Sequence, residues 1–130
     1  MSEHSYTTLH IIHNDKFIVP FIDFVAAHFD ANEHLYVFIA GREEEMHAIP
    51  QADNIINIHN QYTGRKNIFK LAKVLTPLMS KAQKVILHGL FSQDLINYLY
   101  LHQRFLKKYY WVMYLNNLYK VYDKKNTCYV

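Results

Sequence analysis

The chain has 130 residues, of which 51% are hydrophobic and 19% are charged, with a formal net charge of +3 at pH 7. This composition excludes intrinsic disorder, which needs low hydrophobicity and high charge, and the length predicts one domain over residues 1–130. The single cysteine, Cys128, excludes a disulfide framework and a cysteine-based zinc site.

Charge and hydropathy also limit the partners and the location. The positive charge is not clustered densely enough for a dedicated nucleic-acid-binding protein, so nucleic acid is not expected as a partner. No apolar stretch of the sequence approaches the roughly 20 residues that cross a bilayer, and residues 1–5 lack the basic and apolar regions of a signal peptide. We expect a cytoplasmic protein, with peripheral membrane contact left open.

The first half of the chain predicts three strands, one helix and one polar loop. Apolar side chains recur at helical spacing after Phe17, and Pro20 is compatible with this helix only in its first turn. Asn14 and Asp15 are residue types that cap helix N-termini. The predicted elements are a strand over 9–13, a helix over 17–29, a strand over 35–40, a loop over 42–53 and a strand over 55–58.

The second half continues the alternation of strand and helix. A helix is predicted over 68–82, with Pro77 favouring a kink or an early end. A strand over 85–88 stops at Gly89, and Ser92 is a suitable N-cap for the next helix. The remaining predicted elements are an aromatic strand over 109–114 and a helical turn near Leu118.

This alternation predicts an α/β domain with a Rossmann-like open parallel sheet of about five strands and helices on both faces. Ligands of such sheets bind beyond the carboxyl ends of the strands. The segments that follow the first, fourth and fifth strands should therefore converge on one edge. They are 13–16, 88–91 and 114–117.

The pair His88-Gly89 is the strongest candidate at this edge. A histidine can donate a hydrogen bond to a phosphate or act as a base, and a glycine lets the backbone approach a ligand closely. The alternative is structural: Gly89 serves the turn, and His88 is a semi-buried histidine whose hydrogen bonds are satisfied.

Four further residues are candidates for substrate binding. His13 and Asn14 offer a ring nitrogen and an amide, although a strand end followed by a helix cap explains them equally well. Asn116 and Asn117 can recognise hydroxyl groups, although two adjacent asparagines are also typical of a turn.

Neither a metal nor a cofactor is predicted, despite the nine histidines. His10 and His13 lie three apart in a strand and so face opposite sides, and no HExxH, GxGxxG or P-loop motif occurs. Basic residues interleave with aromatics near the last strand and can meet an anionic membrane or a diphosphate. Ordinary solvated lysines are the alternative. The basic residues are Arg104, Lys107, Lys108, Lys120, Lys124 and Lys125.

The segment 84–92 (KVILHGLFS), together with 107–114 and Leu118-Tyr119, resembles a bacterial glycosyltransferase family, the Fuc4NAc transferases of enterobacterial common antigen synthesis. Residues 15–22 and 33–36 also resemble the family, so the likeness runs from about Leu9 to Tyr122. It implies transfer of an amino-deoxy sugar from a dTDP-sugar to an acceptor linked to undecaprenyl diphosphate, at the inner membrane surface. It also implies a metal-independent enzyme of the two-domain GT-B type.

This chain would cover only the N-terminal, acceptor-side domain of such an enzyme. The resemblance implies that His88 is a catalytic donor or base, with Gly89 giving backbone access and with His13 and Asn14 lining the neighbouring strand end. The family pattern Trp-Gly-Gly-Asp-Leu-Tyr falls on residues 114–119, where only the final Leu-Tyr is kept.

An acceptor-side half alone is expected to be inactive, because sugar transfer needs two substrates held in one cleft. The alternative is a non-catalytic binding or interaction module of Rossmann-like fold. A receiver-type or small-ligand domain is a third reading, but a receiver should carry more acidic strand ends than Asp15 alone supplies.

Overall fold

The computed structural model describes residues 5–14, 17–41, 49–58, 67–89 and 93–112. These residues form one five-stranded sheet with the order β3-β2-β1-β4-β5, in which all four strand pairings are parallel. The strands are β1 (Thr8–Asn14), β2 (His34–Gly41), β3 (Ile55–Asn57), β4 (Lys84–His88) and β5 (Tyr109–Val112). The predicted fold class, an open parallel Rossmann-like sheet, is confirmed.

Three α-helices and two short 3-10 helices accompany the sheet in the described ranges. The α-helices are α1 (Ile18–His28), α2 (Asn67–Lys81) and α3 (Gln93–Leu101), and the 3-10 helices are Ala31–Glu33 and Gln103–Lys108. None of the described helices combines the length and apolar character needed to cross a bilayer.

The two faces of the sheet carry separate cores. Leu9 and Ile11 of β1 belong to the larger core, which includes buried residues of α2 and α3. Ile12 of β1 belongs to the smaller core, together with Ile18 and Ile22 of α1. Because both faces are covered, the central strands read as nearly continuous apolar runs, as the sequence indicated.

Two helix predictions are corrected. Helix α1 begins at Ile18 with Phe17 at the N-cap position and no side-chain cap, so neither Asn14 nor Asp15 is its cap. Helix α2 continues through Pro77 to Lys81 and does not end early. The predicted cap Ser92, residues 42–48 of the loop, residues 113–114 of the last strand and the turn near Leu118 lie outside the described residues.

The strand order changes direction between β1 and β4. The chain passes from β1 to β2 through α1, which packs on the smaller core, and leaves β4 through α3, which packs on the larger core. A crevice forms at such a switch point, outside the carboxyl ends of the two strands. Ile12 pairs with His88 in the register, so the ends of β1 and β4 are neighbours, as predicted.

Candidate functional site

The exit from β4 contains a glycine that the backbone requires. Gly89 directly follows the strand and has a φ of 83°, which is the only positive φ among the described glycines. A residue with a Cβ atom is disfavoured in this left-handed region. The turn therefore needs Gly89, which agrees with the structural role that the sequence left open for it.

The side chain of His88 lies inside the protein, beneath helix α1. Only 1% of the residue is exposed. Its Nε2 is 2.9 Å from Nδ1 of His10, and its ring packs against Phe21 with 4.9 Å between the ring centroids. This burial agrees with the structural alternative for His88, and its catalytic role stays a prediction.

His10 connects His88 to a third histidine. The other ring nitrogen of His10, Nε2, lies 2.9 Å from Nδ1 of His34. The His10 ring stacks on Tyr36, with 4.6 Å between centroids and 17° between planes, and meets the edge of Phe21. We call His34, His10 and His88 the histidine chain.

The sheet register brings these three residues together. His34 pairs with Thr8, and His88 pairs with Ile12, so the two lie two residues before and two residues after the positions that pair with His10 on the flanking strands. Alternate residues of a strand share a face, and diagonal neighbours on adjacent strands are within reach of long side chains. The histidine chain therefore crosses three strands diagonally on the face that α1 covers.

Burial keeps the central histidines neutral. It lowers the pKa of His10 from 6.5 to about 2, with smaller contributions from His88 and His34. It also lowers the pKa of His88 to about 4. The pKa of His34 is lowered by burial as well, against the opposing effect of Glu33 and Asp30. A neutral imidazole offers one donor and one acceptor, which is what a head-to-tail chain of N–H···N bonds needs.

The geometry of the histidine chain does not suit a metal ion. His10 meets its two neighbours with opposite ring nitrogens, so the three side chains do not converge on one point. Within the described residues no group of three or more histidine, cysteine or acidic side chains could hold a metal.

The other predicted site residues are placed only in part. His13 is half-buried near the end of β1, where the register with β2 shifts between Ile12 and His13. Asn14 ends β1 and pairs with Gly41 of β2. Asn116 and Asn117 lie outside the described residues, so their convergence on this edge stays a prediction.

The basic residues near β5 divide into two kinds. Nζ of Lys108 donates hydrogen bonds to the carbonyl oxygens of Met79 (3.1 Å) and Ser80 (3.4 Å), close to the end of α2. A lysine there satisfies terminal carbonyls and complements the helix dipole, so Lys108 is structural. Arg104 and Lys107 are exposed.

The described residues define an open parallel α/β sheet whose strand order changes direction between β1 and β4. Comparisons with protein-family models, with curated proteins and with solved structures found no match.

Proposed function

We propose that this chain is the acceptor-side domain of a glycosyltransferase that uses a dTDP-sugar and a sugar acceptor linked to undecaprenyl diphosphate. One observation carries the proposal. The segment most similar to the Fuc4NAc transferases, residues 84–92, includes strand β4 and its exit at the switch point of the sheet. The resembling residues thus coincide with the position where parallel sheets bind ligands.

The local geometry supports a site at the two neighbouring strand ends. Gly89, which is buried, has no side chain and a left-handed conformation, and the end of β1 lies beside it. We assign His13, Asn14 and Gly89 to acceptor binding. Asn116 and Asn117 are assigned to the same role from the sequence, and His88 is assigned as the donor or base.

Peripheral contact with the inner membrane is part of the proposal. Exposed apolar and exposed basic side chains lie close together in sequence at the end of helix α3 and in the 3-10 helix that follows. Tyr100, Leu101 and Leu106 are 73%, 67% and 64% exposed, and Arg104 and Lys107 lie between and beside them. Apolar residues interleaved with cations suit an anionic bilayer surface, where a lipid-linked acceptor resides.

The test is a binding titration of the full chain in detergent micelles. The two probes are a short-chain prenyl diphosphate carrying a sugar and a dTDP-sugar. We expect His13→Ala to weaken acceptor binding about tenfold, because one charge-assisted hydrogen bond contributes about 1.4 kcal/mol. His28→Ala is the matched control, because His28 is an exposed histidine at the last turn of α1.

Two outcomes would contradict this proposal. A folded chain that binds neither probe has no acceptor site. Binding of the dTDP-sugar alone, unaffected by His13→Ala, would assign a donor-type site in place of an acceptor site.

A non-catalytic interaction module is the second candidate, and strand β5 favours it. β5 is the edge strand of the described sheet, and Tyr110, Trp111 and Val112 are 54%, 45% and 38% exposed. Edge strands with apolar side chains tend to pair with another chain. Sedimentation separates the candidates: a dimer that Trp111→Lys dissociates, with no binding of either probe, identifies the module with a second copy as its partner.

A further inference from the structure

We propose that the histidine chain relays a proton across one face of the sheet, between His34 at the start of β2 and His88 at the end of β4. The inference rests on geometry: two consecutive N···N distances of 2.9 Å join three imidazoles through both ring nitrogens of His10. It deepens the proposed function, because it connects the residue assigned as donor or base to a second part of the molecule.

The histidine chain has two self-consistent proton arrangements when all three rings are neutral. In the first, His10 donates from Nε2 to His34, and His88 donates from Nε2 to His10. In the second, His34 donates from Nδ1 to His10, and His10 donates from Nδ1 to His88. Every N–H in the two bonds has an acceptor in both arrangements. The tautomer of His88 is therefore tied to that of His34.

A single proton interconverts the arrangements. Starting from the first, His88 accepts a proton at Nδ1 and passes its Nε2 proton to Nδ1 of His10. His10 then passes its Nε2 proton to Nδ1 of His34, and His34 releases its own Nε2 proton to solvent. One proton enters, one leaves, no other bond is broken, and the three rings end neutral in the second arrangement. The reverse passage restores the first.

The burial and packing of the three rings favour this proton transfer. His88 and His10 are each 1% exposed, so water does not compete for their bonds, whereas His34 is half-buried and reaches solvent. Phe21 and Tyr36 pack against the His10 ring and hold its plane. The histidine chain joins the buried His88 to His34, which reaches solvent.

The test reads the tautomer of His88 by nitrogen NMR of the full chain labelled with ¹⁵N-histidine. Protonated and bare ring nitrogens have different chemical shifts, so each arrangement is recognised directly. In the unmodified chain we expect scalar coupling across both N–H···N bonds. His34→Asp places a carboxylate oxygen, which can only accept a hydrogen bond, at the position of Nδ1 of His34. It should therefore fix the first arrangement, in which His88 is protonated at Nε2.

Two control variants test whether the change at His88 is transmitted through His10. His28→Asp makes the same change at an exposed histidine outside the chain and should leave His88 unchanged. His10→Phe keeps an aromatic ring but removes both hydrogen bonds, so His34→Asp should have no effect on His88 in that background. Persistence of the His88 change in the double variant would overturn the relay.

The relay is also overturned if His88 stays protonated at Nδ1 in His34→Asp, or if the unmodified chain shows no coupling across the bonds. The coupling measurement needs no substitution, so the relay can be tested even if a variant misfolds. None of these readouts depends on a sugar ligand. Failure of the acceptor titration and failure of the relay are thus separate results.

Discussion

Acidification should destabilise this fold through His10 and His88. Burial lowers the pKa of these histidines from 6.5 to about 2 and about 4, whereas in the unfolded chain both titrate at their ordinary value. Below pH 6.5 the unfolded state binds protons that the folded state does not. Stability is therefore fully present above pH 6.5 and is lost as the pH falls toward the folded pKa values.

The size of the loss follows from the linkage. At pH 5 both histidines stay mostly neutral in the folded protein, and the unfolded chain has bound protons at both positions. One pKa unit corresponds to 1.36 kcal/mol, so each histidine costs about 2 kcal/mol at pH 5 and the pair about 4 kcal/mol. Small domains have about 5–15 kcal/mol of stability in total, so this loss is a large fraction.

The assay is urea unfolding followed by circular dichroism at pH 8 and pH 5. We expect the free energy of unfolding to fall by about 4 kcal/mol between these values. In His10→Phe, which keeps the ring but cannot be protonated, the pH-dependent loss should shrink to about 2 kcal/mol. His28→Ala should retain the full loss.

A change below about 1 kcal/mol between pH 8 and pH 5 would refute the assignment of two buried neutral histidines. The same conclusion follows if His10→Phe shows the full loss, because the protons would then be taken up elsewhere.

Three further substitutions test the backbone turn after β4 and the helices α2 and α3. Gly89→Ala should cost about 1–2 kcal/mol in thermal or urea unfolding because of the positive φ, and Gly89→Asn should cost less; equal costs would contradict a backbone cause. Tyr98→Phe should cost about 1 kcal/mol, because it removes the 2.7 Å hydrogen bond between Tyr98 and Thr76 that joins α3 to α2. A double-mutant cycle with Thr76→Val measures that bond, and additive effects would exclude it. Pro77→Ala should raise the unfolding free energy by up to about 3 kcal/mol, since it supplies the N–H for a backbone hydrogen bond inside α2 and removes the clash of the proline ring; a loss of stability would contradict this.

The strands were predictable because their signal is local. Apolar runs of strand length, punctuated by residues such as Gly41 and Gly89, identify buried strands wherever both faces are covered. Pro20 was also correctly placed, because it lies in the first turn of α1, where its missing N–H costs nothing.

The helix predicted over 68–82 does not end early at Pro77, because tertiary packing outweighs a local cost. Leu71, Leu75 and Met79 follow one another at four-residue spacing, and all three are fully buried in the larger core. Ending the helix at Pro77 would expose Met79, whose burial contributes about 1.5–3 kcal/mol, comparable with the cost of an interior proline.

The histidine chain could not be read from the sequence. His34 and His88 lie 24 and 78 residues from His10, and their meeting depends on β1 lying between β2 and β4 in one register. Periodicity determines which residues share a face, but not which strand lies beside which or at what offset. The sequence did contain one usable signal: His10 occupies an inward-facing position of a strand, where a polar side chain needs a partner.

The same dependence explains what the buried His10 and His88 and the half-buried His34 add to the face that carries the smaller core. Apolar side chains would pack on this face without the desolvation that lowers the pKa of His10, and they would tolerate small changes of pairing. The histidine chain forms only if His34 lies two residues before, and His88 two residues after, the position that pairs with His10 on its strand. A slip of β4 by one residue would turn His88 to the opposite face and leave His10 without a partner for Nδ1. The stability lost through desolvation of the histidines is thus coupled to a fixed register of β1 against β2 and β4. The same register places the two strand ends of the candidate site side by side.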